Sequence, residues 1–192
     1  MSDSMTDPRP IVTNDKTSLP TRLHHFAIVV RDQEKVRHLM EDVLGFPLVA
    51  TWAERTLFHD SGETHEYCHT FYELDDGSAL AFFQFADPTM YERCQPKVPA
   101  QVTRFNHIAL RVDRERQREL QQRLEAAGLP NRERDHGYCY SLYTQTEDGL
   151  ELEFTVDAPD IETLQHEQRQ SAHDQLRRWL AGDHTPNNDI RH

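Results

Sequence analysis

Apolar and polar positions alternate along Leu23-His24-His25-Phe26-Ala27-Ile28-Val29-Val30, as they do in a half-buried strand. The same order returns in Phe105-Asn106-His107-Ile108-Ala109-Leu110-Arg111-Val112. Both stretches read apolar, any residue, His, apolar, Ala, apolar, any residue, Val. An aspartate follows each, Asp32 and Asp113, and either can cap a helix. After Asp32, Val36, Leu39, Met40, Val43 and Leu44 fall on one helical face, and Gly45 provides the stop. After Asp113, Leu120, Leu124 and Ala127 form a narrower stripe that ends at Gly128.

The parallel continues. Residues 46–52 read as a second strand, and Gly45-Phe46-Pro47 matches Gly128-Leu129-Pro130. Residues 53–66 are polar and irregular and predict a long loop. His65-Glu-Tyr-Cys-His-Thr-Phe-Tyr72 resembles His136-Gly-Tyr-Cys-Tyr-Ser-Leu-Tyr143, which places His69 opposite Tyr140. Asp76-Gly77 matches Asp148-Gly149, a hairpin signal in each half. Residues 79–85 and 150–154 return as strands. Each half is therefore strand, helix, strand, strand, strand, and landmarks recurring in one order mark a duplication.

The predicted architecture is α+β, with two βαβββ modules pairing into a curved sheet around a central cavity. Module 1 spans about 21–87, a proline-bearing linker about 88–101 and module 2 about 102–158. Residues 1–20 read as a mobile tail. Beyond Pro159 an interrupted stripe through Ile161, Leu164, Gln168, Ala172, Leu176 and Trp179 predicts a C-terminal helix, which could serve a homodimer, and then a turn-rich tail to residue 192.

Composition narrows the function classes. The chain has 192 residues and a formal net charge of -12, which disfavours nucleic acid and anionic membranes as partners. Cys68, Cys94 and Cys139 have neither metal-type nor redox-type spacing and read as free thiols, so the expected location is cytoplasmic. No apolar run reaches transmembrane length.

Candidate chemistry follows from the duplication. His25 and His107 hold equivalent places on the first strand of each half. Glu153 lies four residues beyond Gly149, on the strand face opposite Leu152 and Phe154. Two imidazoles and a carboxylate are the facial set that binds non-haem Fe(II), and Mn, Zn, Co or Ni accept similar ligands. The position equivalent to Glu153 in the first half is Ala81. Gln84 would be a fourth ligand only if a bulge turned it inward.

These two modules resemble the vicinal oxygen chelate superfamily, which includes extradiol dioxygenases, glyoxalase I, methylmalonyl-CoA epimerase and fosfomycin-resistance proteins. The resemblance covers about residues 21–158 and implies one divalent metal held between paired modules. A narrower resemblance is to the extradiol dioxygenase signature, read here as His136, Leu142-Tyr143, Thr146, Gly149 and Glu153. Glu147 stands where that pattern has proline, and Arg134 where it has a small or aliphatic residue. The resemblance implies that His136 and Tyr143 line the substrate side, while His69 is a candidate acid/base. It implies ring opening of a catechol-like or other vicinal-oxygen substrate, with O₂ as co-substrate. A non-redox isomerase, epimerase or glyoxalase-like lyase, and a non-catalytic small-molecule binder, are the alternatives.

Overall fold

The computed structural model describes residues 20, 22–58, 61–94 and 106–188. Apart from Pro20, the tail expected over 1–20 lies outside these residues, as does the second half of the linker.

Two modules with the same element order emerge, in the α+β class expected. Module 1 contains β1 (His25–Val29), α1 (Gln33–Arg37), β2 (Leu48–Phe58), β3 (Glu63–Glu73) and β4 (Ala79–Phe85). A short helix, α2 (Thr89–Cys94), follows within the expected linker. Module 2 contains β5 (His107–Arg111), α3 (Arg114–Ala126), β6 (Asn131–Asp135), β7 (Cys139–Gln145) and β8 (Glu151–Asp157). The C-terminal helix is α4 (Ile161–Leu180). Each module forms a four-stranded sheet, ordered β1-β4-β3-β2 and β5-β8-β7-β6. The first strand of each sheet pairs parallel with the last, and the other pairs are antiparallel.

Helix starts follow the aspartate caps. The Asp32 carboxylate accepts from the Glu34 amide at 2.9 Å, and that of Asp113 from the Arg116 amide at 2.7 Å. The first helix does not stay α-helical to Gly45. It widens into a π-helical turn over His38–Val43, where Leu39, Met40 and Val43 are all buried. The duplication extends to single hydrogen bonds. Gln33 Nε2 donates to the Phe82 carbonyl at 2.8 Å, and Gln117 Nε2 to the Phe154 carbonyl at 2.7 Å. Each glutamine ties its helix to the same rung of its sheet.

Residues 53–58 and 63–66 are paired strand, not the expected loop. β2 and β3 pair from Leu48 to Phe58, and Arg55 bridges to Glu66 at 2.9 Å across the strands. Most of these positions are exposed, so the strand lacks the buried alternation by which strands are recognised.

One core serves both modules. Val36, Leu39, Met40, Val43, Leu44, Leu80 and Phe82 cluster with Leu120, Leu124, Leu142, Leu152 and Phe154. Burying each such side chain stabilises the fold by roughly 1.5–3 kcal/mol. Arg116 Nη2 donates to the Leu44 carbonyl at 2.6 Å, and Phe46 meets Phe154 edge-on at 6.2 Å, both across the module boundary. The helix-side faces of both sheets thus share an interior. The opposite faces, which carry His25 and His107, turn away from it and from each other. In the expected α+β arrangement of two modules with a C-terminal helix, the walls that carry His25 and His107 are thus the sheet faces not used by the shared core.

Candidate functional site

The ladders fix which side chains share a wall. His107 pairs with Glu151 and Ala109 with Glu153, while His25 pairs with Ala79 and Ala27 with Ala81. His25 and His107 are thus structural equivalents, and Ala81 stands where the second module has Glu153. Tyr143 pairs with Glu153, and Phe71 with Ala81, so Tyr143 corresponds to Phe71. By the same ladders His69, opposite Phe83, corresponds to Ser141, opposite Thr155, and not to Tyr140. The Tyr-Cys match between the halves is one residue out of register, and one residue flips a strand side chain to the other face. Tyr72 accordingly lies in the core at 1% exposure, whereas Tyr143 lies on the outward wall.

Module 2 brings four of the expected residues together. His107 Nε2 lies 2.8 Å from Glu153 Oε2. The Tyr143 hydroxyl donates to Glu153 Oε1 at 2.9 Å, and His136 Nε2 lies 2.7 Å from the same hydroxyl. Because that hydroxyl spends its proton on Glu153, His136 Nε2–H must be the donor in the second bond. Ser141 Oγ also donates to Glu153 Oε1, through a short contact. Glu153 is 6% exposed, so these bonds replace the water its carboxylate has lost. Burial, and then the Glu153 carboxylate, push the Tyr143 hydroxyl well above the ordinary phenol range. The Arg132 guanidinium lies 4.0 Å from the centre of the Tyr143 ring and pairs with buried Glu151.

Helix α4 closes this wall into a cleft of 450 Å³. His107, Cys139, Glu153 and Thr155 lie on the sheet side, with Ile161, Leu164 and Gln168 opposite. The rest of α4 is loosely held: none of its residues is buried, and Leu176, Trp179 and Leu180 are 56%, 57% and 74% exposed.

Module 1 holds the remaining candidates. The exposed His25 ring touches His24, Phe71 and His69. His69 stacks on Phe83 at 3.7 Å, with Nδ1 3.6 Å from Glu54 Oε2 and Nε2 buried without a hydrogen-bond partner. Burial lowers the His69 pKa, against the opposing pull of Glu54. No hydrogen bond, ion pair or ring contact joins His25 to His107 or Glu153. Among the described residues no three His, Cys, Asp or Glu side chains gather as a metal site within one chain. Gln84 lies on the helix side, where Oε1 accepts from the Gln33 amide at 2.7 Å, so it is committed to the helix start. His65 is 8% exposed and packs between Phe58 and Phe85.

Sequence reasoning missed Ser141 and Arg132. Ser141 lies two residues before Tyr143 on one strand, so the two-residue period places it on the same face. Arg132 needed the β6–β7 register, which no local signal carries.

Comparison with known proteins settles the family. The model of the Glyoxalase/Bleomycin resistance protein/Dioxygenase superfamily matches residues 22–154. This chain belongs to that superfamily. Its fold is shared with a mutant fosfomycin resistance protein, FosX, from Listeria monocytogenes, complexed with Mn(II) and 1S,2S-dihydroxypropylphosphonic acid (TM-score 0.53, 16% identity, covering 76% of this chain and 99% of that one). FosX from Mesorhizobium loti is similar at TM-score 0.52 and 19% identity, with the same coverage of 76% and 99%. A glyoxylase/bleomycin resistance protein/dioxygenase domain from Frankia sp. EAN1pec matches at TM-score 0.53 and 17% identity, covering 74% of this chain and 95% of that one. No curated relative matches by sequence. No helix among the described residues is long and apolar enough to cross a membrane.

Proposed function

We propose that this superfamily member is a divalent-metal enzyme of extradiol type, opening the ring of a catechol-like small molecule with O₂. The supporting observation is the His107–Glu153 pair, an imidazole nitrogen and a carboxylate oxygen 2.8 Å apart in a walled cleft. These two donors suit a divalent cation, with Fe(II) the choice for ring opening and Mn, Zn, Co or Ni alternatives. The third ligand is His25 of a second copy. The two walls of one chain face outward, so a two-fold dimer can lay the first wall of each copy on the second wall of the other, giving two equal sites. With Gln84 committed to the helix start, the set has three protein ligands and leaves positions for substrate and O₂.

When bound, Fe(II) would supply Lewis-acid and redox chemistry toward a diol and O₂. The chain's own residues orient groups and hold protons. Tyr143 keeps its proton and holds Glu153 Oε1, which leaves Oε2 toward His107. His136 anchors the Tyr143 hydroxyl. Arg132 fixes the Tyr143 ring and is itself held by Glu151. His69 is the remaining acid/base candidate, with Nδ1 3.6 Å from Glu54 Oε2 and Nε2 buried without a hydrogen-bond partner. The α4 helix limits water at this wall.

The test is anaerobic reconstitution with Fe(II), followed by exposure to air with a panel of catechols. Ring-opened products that vanish in His107→Ala and Glu153→Gln support the proposal. Conversion of a vicinal-oxygen substrate without consumption of O₂ would replace it with the non-redox reading. Ligand binding with no bound metal would leave a binding protein.

A further inference from the structure

The two outward walls differ in a systematic way at equivalent rungs. Ala79 stands where module 2 has Glu151, Phe83 where it has Thr155, and Phe85 where it has Asp157. On the hairpin strands, Ala50 corresponds to Arg132 and Trp52 to Arg134. Only His25/His107 and Ala27/Ala109 are shared outright. Of the groups that hold Glu153, Tyr143 has an aromatic counterpart in Phe71, while Ser141 and His107 correspond to His69 and His25.

The first wall is also organised. Phe71 lies 4.2 Å and Phe83 3.7 Å from His69, ring centre to ring centre, and Tyr67 meets Phe83 edge-on at 5.3 Å. Such interlocked rings hold a fixed surface rather than a fluid one. Phe71 and Phe83 are half-buried, and Trp52 is 58% exposed. The face these strands present carries no Lys or Arg among the described residues, and Glu54 is its acid beside His69. On the second wall Arg111 pairs with Asp157 at 2.9 Å and Arg132 with Glu151. An anionic substituent laid on the first wall would meet no Lys or Arg from its strands, in a chain of net charge -12.

We propose that the first wall is an aromatic platform that seats the apolar body of the substrate, and that the substrate is a catechol bearing a neutral aryl or alkyl substituent rather than a carboxylate. This rests on the ring-opening reading for the diol end of the molecule, but the platform itself requires no metal. Trp52, Phe71 and Phe83 then determine specificity. An apolar group matched to a fixed apolar surface is worth about tenfold or more in affinity.

Trp52 reports on the platform. The chain has two tryptophans, so Trp179→Phe isolates the Trp52 signal. In that background, fluorescence titrations compare 4-phenylcatechol, its dimethyl ether, catechol and 3,4-dihydroxybenzoate, with and without Fe(II). The expected result is 4-phenylcatechol binding about tenfold or more tighter than 3,4-dihydroxybenzoate. Phe71→Ala should remove about tenfold for 4-phenylcatechol and change catechol by less than about twofold. Trp52→Ala, at an exposed position that folding does not depend on, should do the same by calorimetry. A phenyl preference that persists in the dimethyl ether, which cannot chelate, supports the platform even if Fe(II) has no effect and the ring-opening reading falls. Equal or tighter binding of 3,4-dihydroxybenzoate, or a phenyl preference unmoved by both substitutions, overturns it.

Discussion

The Tyr143 hydroxyl donates to Glu153 Oε1 across 2.9 Å, inside a wall where Glu153 is 6% exposed. That bond selects which carboxylate oxygen stays available beside His107. Tyr143→Phe removes it while keeping the ring under Arg132. The expected cost is about 1–3 kcal/mol of stability, the range for a hydrogen bond to a charged acceptor. Turnover should fall about 10-fold or more, because Glu153 loses its fixed orientation. Denaturant unfolding and steady-state kinetics on the same preparation check both.

Alkaline stability has a worked sign. Burial pushes the hydroxyls of Tyr72 and Tyr91 up to about 12, and that of Tyr143 in the same direction. The folded chain therefore holds these protons more tightly than the unfolded chain does. Their contribution is fully present below the ordinary phenol value of about 10 and is lost as pH rises through the folded values. Unfolding free energy should be flat in these groups to about pH 10 and then fall. Phenolate absorbance should show five of the six tyrosines, Tyr67, Tyr72, Tyr91, Tyr138 and Tyr143, titrating above the ordinary value. Titration of all six near the ordinary value would contradict the buried placement.

His69 predicts the opposite limb. Burial lowers its pKa, so the unfolded chain binds this proton more readily than the folded one. Its contribution to stability is present above the ordinary imidazole value of about 6.5 and diminishes as pH falls through the window below it. Imidazole proton shifts followed by NMR should show His69 titrating below the ordinary imidazole value. His69→Gln should flatten the acid limb of the stability profile.

Helix α4 walls the cleft without building the core. A chain ending at residue 159 should fold, with a melting temperature within about 2–4 °C of the full chain, since a change of about 1 kcal/mol moves a domain of this size by about that much. Substrate affinity should weaken, because Ile161 and Leu164 no longer cover Glu153. Loss of cooperative unfolding would show that α4 contributes more than a wall.

Much of this was legible in the residues. The duplicated strand motif gave the two modules, and the Asp32 and Asp113 caps gave the helix starts. Counting four residues from each Asp-Gly turn gave Glu153 and its counterpart Ala81, because a hairpin turn fixes ladder register. What escaped notice depended on partners distant in sequence. The β2–β3 hairpin is exposed along much of its length and so carries no burial pattern. His69 was matched to Tyr140 because Tyr-Cys occurs twice, while the ladders run one residue out of step with that match. The outward direction of both walls follows from a core shared between α1 and α3, and no local pattern encodes it.

The account turns on whether His25 completes the His107–Glu153 pair of another copy. Mixing His25→Ala with Glu153→Ala chains tests this, because one of the two sites in each mixed dimer carries all three ligands. Metal content by elemental analysis should be near zero for either variant alone and recover to about one quarter of the wild-type value in an equal, fully exchanged mixture. No recovery on mixing, or full metal binding by His25→Ala alone, would contradict it.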